Sequence, residues 1–177
     1  QQPKIVAHPP VRAEQPSQTY NVQLTEFALK DAANPAMSAE QIVQTYQQLA
    51  KEKELDVIET IRLTVMEGSE SMVQVGRQAT VTVGTVSAGP GRGESRQMRQ
   101  EMIGTMVTVT ALPQKEKVLL KLVYESSRFE DSDSEPRDTV TKQFQSMLLL
   151  EAGQPALIGG SSAGSTAFLV VEIEKGE

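Results

Sequence analysis

T-V-T-K-Q-F-Q-S-M-L-L-L-E-A-G-Q-P-A-L-I-G-G occupies residues 139–160, and T-A-F-L-V-V-E-I-E follows at 166–174 after a short Ser/Gly run. Three apolar runs stand out. The first, Val140 to Glu151, ends at Gly153; the second, Pro155 to Ile158, is stopped by Gly159 and Gly160; the third, Ala167 to Ile173, precedes a charged terminus. Apolar runs of this length bounded by glycine read as buried strands. Gly153-Gln154-Pro155 fits a tight turn, because glycine is free to take a positive φ and proline fixes its own. The spacing predicts a hairpin across 153–155 and then a returning strand, with no room for a crossover helix.

The rest of the chain extends this pattern upstream. Tyr20 to Leu24 alternates apolar and polar and predicts a strand continuing to Phe27 or Leu29. Ser38 with Gln41 three residues on predicts a capped helix, with Ile42, Val43, Tyr46 and Leu49 on one face packed against a sheet. A strand follows, with Val57, Ile61, Leu63 and Val65 facing one way and Glu59 in the same register; it ends at Glu67-Gly68-Ser69. Ser71 to Val83 predicts another strand, with Val73, Val75, Ala79, Val81 and Val83 on one parity. Gly76 interrupts it and marks a bulge or a close backbone approach. Thr85 to Gln100 reads as a long polar loop or flexible hairpin. Met102–Leu112 and Val118–Ser126 are strands, the latter with Val118, Leu120, Leu122 and Tyr124 on one face, and 129–138 is an acidic loop. The fold class is α+β: one β-rich domain of mostly antiparallel sheets with one helix packed on them, over residues 19–177. Residues 1–18, with Pro3, Pro9, Pro10 and Pro16, form an extended tail or linker.

Composition narrows the function. A net charge of −6 argues against a nucleic-acid footprint, and 4% aromatic residues with no Trp argue against a base-stacking or sugar-binding face. With no Cys, disulfides and thiolate zinc sites are impossible. No apolar run approaches the length of a membrane helix. The opening Gln1-Gln2-Pro3 suits an exported chain with its signal already removed, which predicts the periplasm or cell envelope. His8, the one histidine, sits in the tail with no second ligand nearby. Gly160-Ser161-Ser162-Ala163-Gly164 has the G-x-S-x-G form but lacks a partner histidine and a following helix. The glycines at 89–93 lack the Lys and Ser/Thr of a phosphate loop. Asp131, Asp133 and Glu135 are followed by Pro136 where a calcium loop needs glycine. The expectation is therefore no catalytic residue, no metal and no cofactor.

The order of these elements resembles the bacterial secretins, the outer-membrane channel family of type II and III secretion and pilus systems. Thr141, Ser146, Leu148, Leu150, Gly153, Gln154, Gly159 and Gly160 match the pattern near the end of that family's core domain. Phe168 to Ile173 is similar to its closing strand. Met66-Glu67-Gly68 followed by Ser71 to Gly76 resembles a strand–turn–strand of the family, without its usual proline. Gly104 with Val107, Val109 and Pro113 resembles V-G-x-x-L-x-V-x-P, and Glu125-Ser126 resembles E-x-S. The resemblance implies structural roles for Gly76, Gly104, Glu125, Ser126, Gly153, Gln154, Gly159 and Gly160. It also implies protein partners: further copies of the chain, or secretion and pilus components. In secretins the interval corresponding to Thr85–Gln100 holds hairpins that build the gate and the membrane wall. Here it carries Arg92, Arg96 and Arg99 and no Leu, Ile or Phe, so the isolated chain is not expected to insert into a bilayer. The first reading is a non-enzymatic envelope protein with a truncated secretin-like core, serving as a structural or assembly part. Two alternatives stand beside it. One is a channel subunit whose wall forms from residues 77–103 on ring assembly; the other is a free-standing periplasmic module binding a small ligand or peptide at a sheet edge.

Overall fold

The computed structural model describes residues 17–29, 37–87, 94–129, 139–161 and 167–176. The Pro-rich tail up to Pro16, the acidic loop after Phe129 and the short Ser/Gly run before Ala167 lie outside them. The element order is β1 (Thr19–Ala28), α1 (Ala39–Glu52), β2 (Asp56–Met66), β3 (Glu70–Ser87), β4 (Glu94–Gln114), β5 (Lys117–Phe129), β6 (Thr139–Glu151), β7 (Ala156–Ser161) and β8 (Ala167–Lys175). These strands form two antiparallel four-stranded sheets, in the orders β2-β1-β8-β7 and β3-β4-β5-β6. The α+β, mostly antiparallel class expected from the sequence is the one observed.

The two sheets face each other through alternate residues of each strand. Tyr20, Val22 and Leu24 of β1, Ile61, Leu63 and Val65 of β2, and Leu169, Val171 and Ile173 of β8 meet Val107, Val109 and Ala111 of β4. Val118, Leu120, Leu122 and Tyr124 of β5 complete the layer. Each fully buried aliphatic side chain here contributes about 1.5–3 kcal/mol by leaving water, so this layer is the main source of stability. The opposite face of β8 carries Val170 and Phe168, which pack with Phe27 against Ile42 and Tyr46 of α1. The helix starts where the capping box places it. The Ser38 hydroxyl accepts from the Gln41 amide at 3.3 Å, and the Gln41 side chain accepts from the Ser38 amide at 2.8 Å. Lys53 closes it in the left-handed conformation, φ 60°.

Four expectations are corrected. Residues 153–155 do not join a hairpin: β6 pairs with β5 and β7 with β8, so this turn carries the chain from one sheet to the other. Gly153 does take a positive φ, 78°, and its amide donates to the Ile173 carbonyl at 2.8 Å, which anchors the turn to β8. The second run is not stopped by Gly159 and Gly160, because β7 runs through both. Val57 does not face inward. The β1–β2 register shifts between Glu26 and Phe27, and Val57 is left 47% exposed. Finally, of the two readings of Thr85–Gln100, the hairpin is the one observed and the long loop is not. β3 continues to Ser87 and β4 begins at Glu94, so the polar interval is largely paired strand. Polar residues without apolar alternation read as loop from sequence, but cross-strand pairing supports them here.

Candidate assembly surface and buried ion cluster

Among the described residues, the β3-β4-β5-β6 sheet has two unpaired edges, β3 and β6. Its strands are unequal in length. β4 pairs with β5 only from Gly104 to Gln114, whereas β3 and β4 stay paired from Arg77–Ile103 out to Ser87–Glu94. At about 3.3 Å per residue, β3–β4 therefore continues as a two-stranded arm for roughly 35 Å past the last β4–β5 pair. The arm leaves the sheet at Gly76 and Gly104, which are paired. A Cβ on Gly76 would come within 2.5 Å of the Ile103 carbonyl oxygen, and Gly104 has φ 147°, so neither position admits a side chain without displacing backbone. The close backbone approach expected at Gly76 is present; the register irregularity lies elsewhere, at Thr82/Gly84.

At the arm's base the facing sides of the two sheets change from apolar to charged. Glu26 continues the inward parity of Tyr20, Val22 and Leu24, and is 3% exposed. It accepts from Arg128 Nη2 at 2.7 Å, from Lys142 Nζ at 3.2 Å and from the Tyr124 hydroxyl at 3.0 Å. Arg128 also lies 3.6 Å from Glu59 of β2, and Glu59 Oε2 accepts from the Thr105 hydroxyl at 2.6 Å. Thr105 Oγ1 is in turn 3.3 Å from Ser126 Oγ. Two carboxylates from one sheet thus meet two cations from the other. Such a buried set is tolerated only when paired and hydrogen-bonded, and among the described residues no buried side-chain polar atom lacks a partner. Burial first, and the Glu26 charge second, push the Tyr124 hydroxyl far above the usual phenol range, so it acts as a donor. Tyr46, on the sheet-facing side of α1, is raised chiefly by burial as well.

The residues singled out by motif are spread over both sheets. Ser126 is buried beside Thr105, while the adjacent Glu125 takes the outer parity, half-buried in register with Met106 and Gln143. Gly153 and Gln154 lie in the turn between sheets. A Cβ on Gly159 would stand 2.8 Å from the Phe144 ring, and one on Gly160 2.5 Å from Phe168. Motif reading missed Glu26, Arg128 and Lys142. The signal for Glu26 was its parity: an acid in phase with three apolar residues of a strand. Glu59 had been read in register with Ile61, Leu63 and Val65, but without its partners from the other sheet.

A shallow hollow of about 390 Å³ lies on the outer face of the first sheet, among Asn21, Gln23, Arg62, Thr64 and Glu172. Its polar groups satisfy one another: Arg62 Nε donates to Gln23 at 2.7 Å, and the Thr64 hydroxyl donates to Asn21 at 3.0 Å. Among the described residues no group of His, Asp or Glu is arranged to hold a metal, and no helix is long and apolar enough to cross a membrane.

The family model "Bacterial type II and III secretion system protein", the secretins, matches residues 48–166. The chain belongs to the secretin family. Among solved structures it is similar to the InvG secretin-domain β-barrel of the Salmonella SPI-1 injectisome, with TM-score 0.53 and 9% identity, covering 91% of this chain and 62% of that one. It is also similar to the Klebsiella pneumoniae type II outer-membrane complex of PulD, PulS and the PulC HR domain, with TM-score 0.50 and 12% identity, covering 91% and 39%. At these identities the likeness is one of fold, and the secretin spans less than two thirds of either structure's chain. No curated protein sequence matches it.

Proposed function

We propose that this secretin is a non-enzymatic structural component of an envelope secretion or pilus system that assembles side by side with copies of itself. The observation that carries this is the even strand count of the long sheet with both edges free. β3 and β6 run antiparallel to each other, so β6 of one copy is oriented to pair with β3 of the next, and the ladder continues without reversal. Unpaired edges of this length are normally blunted or covered. Repetition around a closed ring satisfies both at once.

The arm supports a channel subunit as a second reading, with residues 77–103 in a place other than the wall expected from sequence. A wall of four strands per copy occupies about 19 Å of circumference, and a two-stranded arm about 10 Å. Arms pairing with neighbouring arms would therefore form a ring of about half the wall's circumference. They must cone inward, as a gate does. This supports a role for residues 77–103 inside the ring rather than in the wall.

The absence of Cys makes the test direct. Gln74 on β3 and Gln143 on β6 are exposed edge-strand residues. A Gln74→Cys/Gln143→Cys double variant treated with a short bifunctional thiol cross-linker is expected to give a ladder of multimers, and each single variant nothing beyond dimers. A monomer by light scattering with no ladder at high concentration would refute assembly. Discrete conductance steps after mixing with liposomes would favour the channel over the purely structural part.

A further inference from the structure

The Glu26 cluster is placed where three things meet: the base of the arm, the first sheet, and β6, the edge that the proposed ring would join. Thr105 directly follows Gly104, the residue at which the arm leaves the sandwich. Its hydroxyl is held by Glu59 of β2 at 2.6 Å, Glu59 by Arg128 at 3.6 Å, Arg128 by Glu26 at 2.7 Å and Glu26 by Lys142 of β6 at 3.2 Å. An unbroken line of polar contacts thus runs from the arm's base, through both carboxylates of the first sheet, to the edge strand. Among the described residues no third strand of its own sheet pairs with the arm beyond Gly104. A free two-stranded ribbon is marginal in water, so its base is where its direction can be set.

We propose that Thr105, Glu59, Arg128, Glu26 and Lys142 form a lock that positions the arm against the first sheet and ties that position to strand β6. Thr105 and Lys142 are positioning residues at its two ends. The cluster is charge-balanced and enclosed between sheets, so its role needs no ligand. Three of its members keep a route to solvent, since the side chains of Arg128, Glu59 and Lys142 are 41%, 26% and 24% exposed. Contact at the β6 edge would therefore reach the lock through Lys142. The β6 end of the inference rests on the ring reading; the Thr105 end does not.

The test is amide hydrogen exchange on the full chain, comparing peptides from 77–87 and 94–103 with peptides from β8. Thr105→Val removes the hydroxyl at nearly constant shape. Losing a hydrogen bond to a charged group corresponds to about tenfold or more in a local opening equilibrium, so arm exchange is expected to accelerate by about that factor. β8 is expected to stay within about twofold of wild type, and Thr105→Ser to restore the arm. Lys142→Met is expected to accelerate the arm in the single chain as well. Unchanged arm rates in either variant, equal acceleration in arm and β8, or failure of Thr105→Ser to restore protection would overturn the lock. If wild type forms no multimers while the arm responds as expected, the ring reading fails and the lock stands.

Discussion

Replacing Glu26 with glutamine keeps the shape of the side chain and removes its charge, which isolates what the cluster needs. Three donors converge on this carboxylate from two strands of the opposite sheet. The Tyr124 bond survives, because the glutamine carbonyl also accepts. Arg128 donates to that same oxygen and keeps a bond to a neutral acceptor, while Lys142, which donates to the other oxygen, meets the glutamine NH2 and loses its bond. Removing one partner of a fully buried pair costs about 3–5 kcal/mol, but Arg128 and Lys142 are partly exposed and Arg128 retains Glu59, so both cations recover part of their solvation. The expected loss is therefore about 2–3 kcal/mol, or roughly 5–10 °C in melting temperature for a domain of this size. Lys142→Met should cost less, about 1 kcal/mol, because Glu26 keeps Arg128 and Tyr124. Urea unfolding monitored by circular dichroism, at a concentration low enough to keep assembly out of the equilibrium, measures both. A Glu26→Gln midpoint equal to wild type, or a Lys142→Met loss larger than that of Glu26→Gln, would refute the view that Glu26 is the hub.

Ser38→Ala removes one half of the capping box and is expected to lower stability by about 1 kcal/mol, read from the same urea curves; no change would place the helix start elsewhere. Gly159→Val sets a Cβ 2.8 Å from the Phe144 ring, which itself packs on Tyr124, with ring centroids 6.1 Å apart. Overpacking there should cost about 1–3 kcal/mol, and wild-type stability would show that the ring moves aside freely. Tyr124 gives a pH signature. Its folded-state pKa is raised, so its contribution is whole below about pH 10 and is lost as pH climbs from there toward the folded value, at up to about 1.4 kcal/mol per pH unit. Tyr124→Phe should flatten the fall in melting temperature above pH 10, and an unchanged slope would assign alkaline unfolding to other groups.

The strands were legible in the sequence wherever one face is buried. Val118, Leu120, Leu122 and Tyr124 show strict alternation, and all four are 2% exposed or less. The helix was legible because its cap is local: Ser38 and Gln41 are three residues apart. Sheet membership was not legible at 153–155. A tight turn between two apolar runs reads as a hairpin, but β6 and β7 face each other across the sandwich, and only the pairing partners β5 and β8 decide that. The arm was illegible for a related reason. Its outer part, Thr85–Ser87 and Glu94–Gln100, is mostly polar and lacks the period of two that marks a half-buried strand, whereas Ala79, Val81 and Val83 keep it. The ion cluster joins residues up to 116 positions apart, as Glu26 and Lys142 are, and no spacing rule spans that distance. What the sequence did carry was phase, since Glu26 and Glu59 each stand where an apolar residue would complete the inward row.

The same alternation bears on what the outer face of a proposed wall could touch. Across β4, β5 and β6 the register aligns Leu112, Leu119 and Leu149 in one outward row. The next row holds Glu70, Thr110, Lys121 and Met147, and the one after it Met72, Thr108, Val123 and Gln145. Gln74, Met106, Glu125 and Gln143 follow. Only the leucine row is wholly apolar, and a ring would repeat it as a belt about 7 Å tall, the rise of two residues. A lipid-facing band needs about 25 Å. The charges of Glu70, Lys121 and Glu125 fall inside that height, and opposing them with lipid would strand each without a partner. Ring closure through β3 and β6 therefore yields a wall whose outer surface suits water or protein over most of its height. The leucine row at the turn-bearing end is the part suited to an apolar neighbour. Glu70, Lys121 and Glu125 thus suit water or a polar partner on this face, and Leu112, Leu119 and Leu149 an apolar one.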